Sequence, residues 1–225
     1  MDMKARVALV VMVIAISASG FVFGNNKDSE TIVTNVSIMD QGISDKSSKA
    51  AKKEAKKFIK DGWEITPGSL PLEKQFDRAY SIEYEIDDEG YQKFIIGEAM
   101  SIGENYDAAK MQALELAKQA IAGKIESEVV ALIENSVANK QLAKEQAASL
   151  TKSVSEGTTL ISKKIGRTIS LVECYRTKSN MNKEVLVRIA YNADRIKAAA
   201  KDVIIEGLEE DSEELRSKLD DILGW

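Results

Sequence analysis

Two acidic runs, Asp87-Asp88-Glu89 and Glu209-Glu210-Asp211, carry the side chains best suited to proton transfer or cation ligation. Neither has the ligand spacing of a calcium loop, and each falls at a break or a helix end, where acids are ordinarily solvated. The chain contains no histidine. That removes the commonest general base, the commonest metal ligand and every Ser-His or Cys-His nucleophile pair. Residues 97–103 and Gly166-Arg167 lack a phosphate-loop pattern. The single cysteine, Cys174, cannot form an intramolecular disulfide and lies in a strand-like run, which predicts a buried, inert thiol. Trp63, Tyr80, Tyr84, Tyr91, Tyr106, Tyr175 and Tyr191 could line an apolar pocket, but their alternating or helical spacing reads as core edges. No catalytic residue, cofactor site or metal site is expected.

The remaining chemistry is charge. Seven lysines, at positions 46, 49, 52, 53, 56, 57 and 60, stand against the single Glu54. They lie in a chain whose formal net charge is −5, so nucleic acid is not expected as a partner of the whole molecule. Helix propensity is high here, but apolar content is too low for a buried helix before Phe58 and Ile59. The segment is therefore expected to belong to a flexible, lysine-rich leader over residues 25–62, serving as a solvated connector or as a contact to an anionic membrane surface. The candidate contacts are Lys49, Lys52, Lys53, Lys56, Lys57 and Lys60.

Ahead of this leader, Lys4 and Arg6 precede an apolar run over residues 7–16 and the small residues Ser17, Ala18, Ser19 and Gly20. This is the pattern of a secretory signal peptide, here assigned to residues 1–24 with cleavage after Gly20 or Gly24. An uncleaved anchor is the alternative, since Phe21, Val22 and Phe23 extend the run. With Cys174 the only cysteine, no lipid can be carried at the cleavage site. An exported protein, periplasmic or associated with the outer membrane and not directly lipidated, is expected.

The elements that follow predict one α+β domain over residues 63–225. A short strand at 63–66 and a helix from Pro71 to about residue 86 come first. Residues 91–103 then alternate: Phe94, Ile96, Met100 and Ile102 make one bulky face, while Ile95, Gly97, Ala99 and Ser101 make a nearly bare one. A bare strand face needs a closely approaching partner, or it leaves a void. The next helix, expected to end near residue 138, carries Ala109, Ala113, Ala117 and Ala120 at helical spacing. Gly97 and Ala99 with Ala109, Ala113 and Ala117 therefore form the expected packing motif. A second helix over 140–164 is expected to fold back as a helical hairpin insertion, followed by a β-hairpin (168–177 and 183–191) and C-terminal helices. The result is a small antiparallel sheet packed by a long alanine-striped helix.

The stretch Ile96-Gly97-Glu98-Ala99-Met100-Ser101, followed by Asp107-Ala108-Ala109-Lys110-Met111-Gln112-Ala113-Leu114-Glu115-Leu116-Ala117, resembles the LPP-twenty family of bacterial envelope lipoproteins. The similarity covers about residues 91–196, with 172–175 and 185–191 resembling the family's later strands. The resemblance implies a scaffold or interaction role without an active site. The chain departs from the family in lacking the lipid-bearing cysteine and in carrying the 140–164 insertion. The expected function is thus an exported envelope module that acts with a protein partner or by self-association. The alternative is a periplasmic carrier that holds an apolar small molecule or lipid between helix and sheet.

Overall fold

The computed structural model describes residues 48–208 and 213–224. The predicted signal peptide, the leader up to residue 47 with Lys46, and the acidic run Glu209-Glu210-Asp211 lie outside the described residues. Within them the fold is α+β, with six helices and a three-stranded antiparallel sheet.

The central contact is the one between helix and bare strand. β1 (Phe94–Gly103) is an edge strand in the order β1-β3-β2, with β2 at Ile169–Thr177 and β3 at Lys183–Asn192. α3 (Tyr106–Ala138) begins at Asn105, whose side chain accepts from the Ala108 N–H. It then lies along β1 with Ala109, Ala113 and Ala117 fully buried. The approach is close enough to forbid a side chain. A Cβ on Gly97 would stand 2.1 Å from the Ala117 carbonyl oxygen, and one on Gly103 would stand 2.8 Å from the Ala109 nitrogen. Val185, Val187 and Ile189 of β3, with Ile95 and Ala99 of β1, complete this side of the core.

At about 1.5 Å per residue α3 is close to 50 Å long, and its second half runs beyond the sheet. There Ile125, Val129 and Ile133 meet Leu150, Val154 and Ile161 of α4 (Lys144–Lys164). The hairpin turns at Lys140, which adopts a left-handed backbone with φ of 59°. Gln141 and Leu142 donate to the Ser136 carbonyl. This turn explains why α4 starts four residues later than the sequence predicts. α5 (Ala193–Gly207) and α6 (Glu213–Leu223) pack Ile196, Val203, Ile204, Leu219 and Leu223 into the same core. The crossing of α4 and α5 is tight because Gly157 faces Val203 and Gly207 faces Ser153, whose hydroxyl donates to the Ile204 carbonyl.

The opposite face of the sheet corrects the sequence reading. Lys49, Lys52, Lys53, Lys56, Lys57 and Lys60 do not belong to a flexible leader: α1 (Lys49–Lys60) is a helix packed into the domain. Ser48 caps it by accepting from the Ala51 N–H. Ala51 and Ala55 are buried, and Phe58 packs edge-on to Phe76 of α2 (Leu72–Glu83) at 5.0 Å between centroids. Trp63, Leu72, Ala79, Val172, Cys174, Leu186 and Ala190 share this second cluster. Low apolar content did not prevent burial, because the few apolar residues all lie on one face. The short strand expected at 63–66 reduces to one bridge, Glu64 with Tyr175. On β1, Phe94 and Ile96 join the cluster, whereas Met100 and Ile102 remain about half exposed.

Candidate anionic-surface interface

At about 100° per residue, the six lysines of α1 fall within an arc of about 140°, and Ala51, Ala55 and Phe58 lie on the opposite side. All six lysines are exposed, and none forms an ion pair among the described residues. Lys57 and Lys60 sit in the last turn, where cations interact favourably with the helix dipole. Ile59, 61% exposed, borders the arc.

What fixes the rotation of α1 is its one acid. Glu54 points inward, where one carboxylate oxygen accepts from the Tyr80 hydroxyl and the other lies 3.4 Å from a guanidinium nitrogen of Arg188. Arg188 Nε lies 2.5 Å from Glu98 Oε2, directly across the β1–β3 register. Its guanidinium also lies 5.6 Å from the centre of the Phe76 ring. Burial alone would depress the Arg188 pKa, but the Glu98 and Glu54 carboxylates more than offset this and hold the group charged. Burial, then the hydrogen bond to Glu54, pushes the Tyr80 hydroxyl up to about 12. Tyr80 therefore remains a donor at neutral pH.

Two further polar clusters tie elements together. Glu173 on β2 pairs with Lys110 Nζ at 2.7 Å and accepts from the Tyr106 hydroxyl, joining the start of α3 to the sheet. Burial first and Glu173 second raise the Tyr106 pKa, so it too stays protonated at neutral pH. Glu184 pairs with Arg176 at 2.5 Å and with Lys178 at 3.6 Å, and the Arg176 guanidinium lies 4.7 Å from the centre of the Trp63 ring. Burial would raise the Glu184 carboxyl pKa, yet Arg176 and Lys178 win and hold it below the usual range. Sequence reading missed both clusters. Arg176 and Glu184 are direct partners in the hairpin register, so opposite charges equidistant from the predicted loop were the available signal.

The residues singled out for other chemistry are placed as follows. Asp87 accepts from the backbone N–H groups of Glu89 and Tyr91, which makes it a turn-stabilising residue. Cys174 is buried, and burial, with Glu98 next, pushes its thiol up to about 12. The packing motif Gly97, Ala99, Ala109, Ala113 and Ala117 is brought together at the α3–β1 contact, where the Gly97 approach leaves no space for a ligand. An open groove of about 600 Å³ lies elsewhere, between α3 and α4 beside Ile133, Val137, Ala147, Ala148 and Thr151. Among the described residues no three acids or cysteines are grouped to hold a metal, and no helix is long and apolar enough to cross a membrane. Comparison with known protein families, curated proteins and solved structures finds no match for this chain.

Proposed function

We propose that the chain is an exported, non-catalytic module of the cell envelope that works by contact, presenting the lysine face of α1 to an anionic envelope surface. The observation that carries this reading is the set of six exposed, unpaired lysines on a helix whose other face is locked into the core. Charges fixed along one line of a folded domain act together, whereas the same charges on a flexible tether must first lose conformational freedom. Each lysine brought close to an anionic membrane contributes about 1 kcal/mol, so partial engagement already gives reversible attachment. The resemblance of the β1–α3 motif to the LPP-twenty family supports the same compartment and a scaffold role. The signal-peptide pattern supports export.

The test is retention on isolated envelopes under rising salt. The parent chain should stay bound in low salt and be released as screening increases. A variant with all six lysines of α1 changed to glutamine should be released already at low salt. Equal retention of the two chains at every salt concentration would remove the lysine face from the function.

A further inference from the structure

Resting on the reading of α1 as the contact surface, we infer that its partner is an anionic lipid bilayer, met in one fixed orientation with Ile59 at the lipid boundary. The chemistry of the row favours a smeared negative plane over a discrete anion. Lysines are point charges on flexible stems, and no arginine fork, which would read a single phosphate bidentately, lies among them. The neighbouring aromatics Phe58 and Trp63 are turned into the core, so no stacking platform for nucleic acid bases accompanies the charge. From Lys49 to Lys60 the row extends about 16 Å along a convex helix face, a shape that can lie on a plane but cannot enclose a small anion.

Ile59 gives the contact an apolar component. It stands seven residues after Lys52 and therefore on nearly the same line of the helix. A lysine row with one apolar side chain beside it suits the boundary between headgroups and acyl chains. Deeper insertion is blocked, because Ala51, Ala55 and Phe58 are held in the core and Glu54 is held by Arg188 and Tyr80. Since α1 cannot roll, docking it fixes the whole domain. α1 and α2 cover one face of the sheet and α3 covers the other, so Met111, 71% exposed on α3, is carried on the side away from the bilayer.

The experiment uses vesicles of phosphatidylcholine with an increasing fraction of phosphatidylglycerol, and a polarity-sensitive fluorophore on Ile59→Cys or Met111→Cys. Cys174 is buried and is left in place. Binding should rise with anionic lipid, fall with salt and drop about fivefold for each Lys→Gln change, while Lys→Arg changes preserve it. The label at position 59 should report a less polar setting on binding, and the label at 111 should not change. A change at 111 alone, or equal changes at both sites, would overturn the orientation. Failure to bind any vesicle while a soluble polyglutamate peptide still binds the parent, and not the six-glutamine variant, would overturn the bilayer and leave α1 as the contact surface. Binding to neither would overturn both readings.

Discussion

Replacing Gly97 by alanine tests the contact on which the domain is built. The added Cβ would stand 2.1 Å from the Ala117 carbonyl oxygen and 2.7 Å from Ile121 Cγ1. Ile121 Cγ1 is the first branch of a fully buried side chain with little χ1 freedom in a helix, and the carbonyl belongs to the backbone of a long helix packed along both β1 and β3, so neither can move aside cheaply. Relief requires moving that helix off a row of fully buried alanines, which places the cost near 3 kcal/mol, the upper end of overpacking penalties. Gly123 on the same helix is the control: nothing lies within 4 Å of its Cβ position. There, alanine should stabilise by about 0.5–1 kcal/mol, because glycine is the poorer helix former. The two changes add the same methyl group and should shift stability in opposite directions. Urea unfolding followed by fluorescence of the buried Trp63 measures both, with unchanged slopes required for the comparison. A Gly97→Ala chain as stable as the parent would mean that α3 does not lie on β1 as described.

Other outcomes follow from the polar clusters. Because the folded pKa of Glu184 is depressed, its contribution is present above the unfolded carboxyl pKa, about 4.5, and is lost as pH falls through the lower folded value. Glu184→Gln should therefore lower the melting temperature at neutral pH and leave it nearly unchanged in strong acid; a constant difference across that range would remove the linkage. Arg188→Met strands two carboxylates, but Glu98 is 41% exposed and can rehydrate, so a loss of about 2 kcal/mol is expected in urea unfolding. A neutral result would show that the Glu54–Arg188–Glu98 row does not hold α1. Cys174 should resist thiol reagents in the native chain and react in denaturant, and prompt native labelling would contradict its burial.

The α3–β1 contact was legible because size alternates visibly along the strand. Gly97 and Ala99 leave a bare face, and alanine at every fourth position of the next helix is the complementary shape. The helical hairpin and the β-hairpin were legible from period alone, although the left-handed turn at Lys140 was not. What sequence reading lost was the second face of the sheet. The run Val185-Leu186-Val187-Arg188-Ile189-Ala190 is almost continuously apolar, as expected of a strand buried on both faces. Reading residues 183–191 only as one arm of a β-hairpin, with a single helix packed on the sheet, left α1 with nothing to cover. Averaging composition over α1 then hid the fact that Ala51, Ala55 and Phe58 share one side while all the lysines share the other.

Arg188 links these two losses. A guanidinium placed in an otherwise apolar stretch of a central strand must find a carboxylate, and Glu98 across the register supplies only one. The second comes from Glu54, the single acid among the helix's lysines, and pairing it dictates which side of α1 faces in. The lysine face is therefore the necessary complement of a core requirement. It follows that the six lysines and the core are separable by mutation: changing the lysines leaves Ala51, Glu54, Ala55 and Phe58 in place, so a loss of surface binding in the glutamine variant reports contact and not unfolding. Changing Glu54 should do the reverse, loosening the helix while every lysine charge remains.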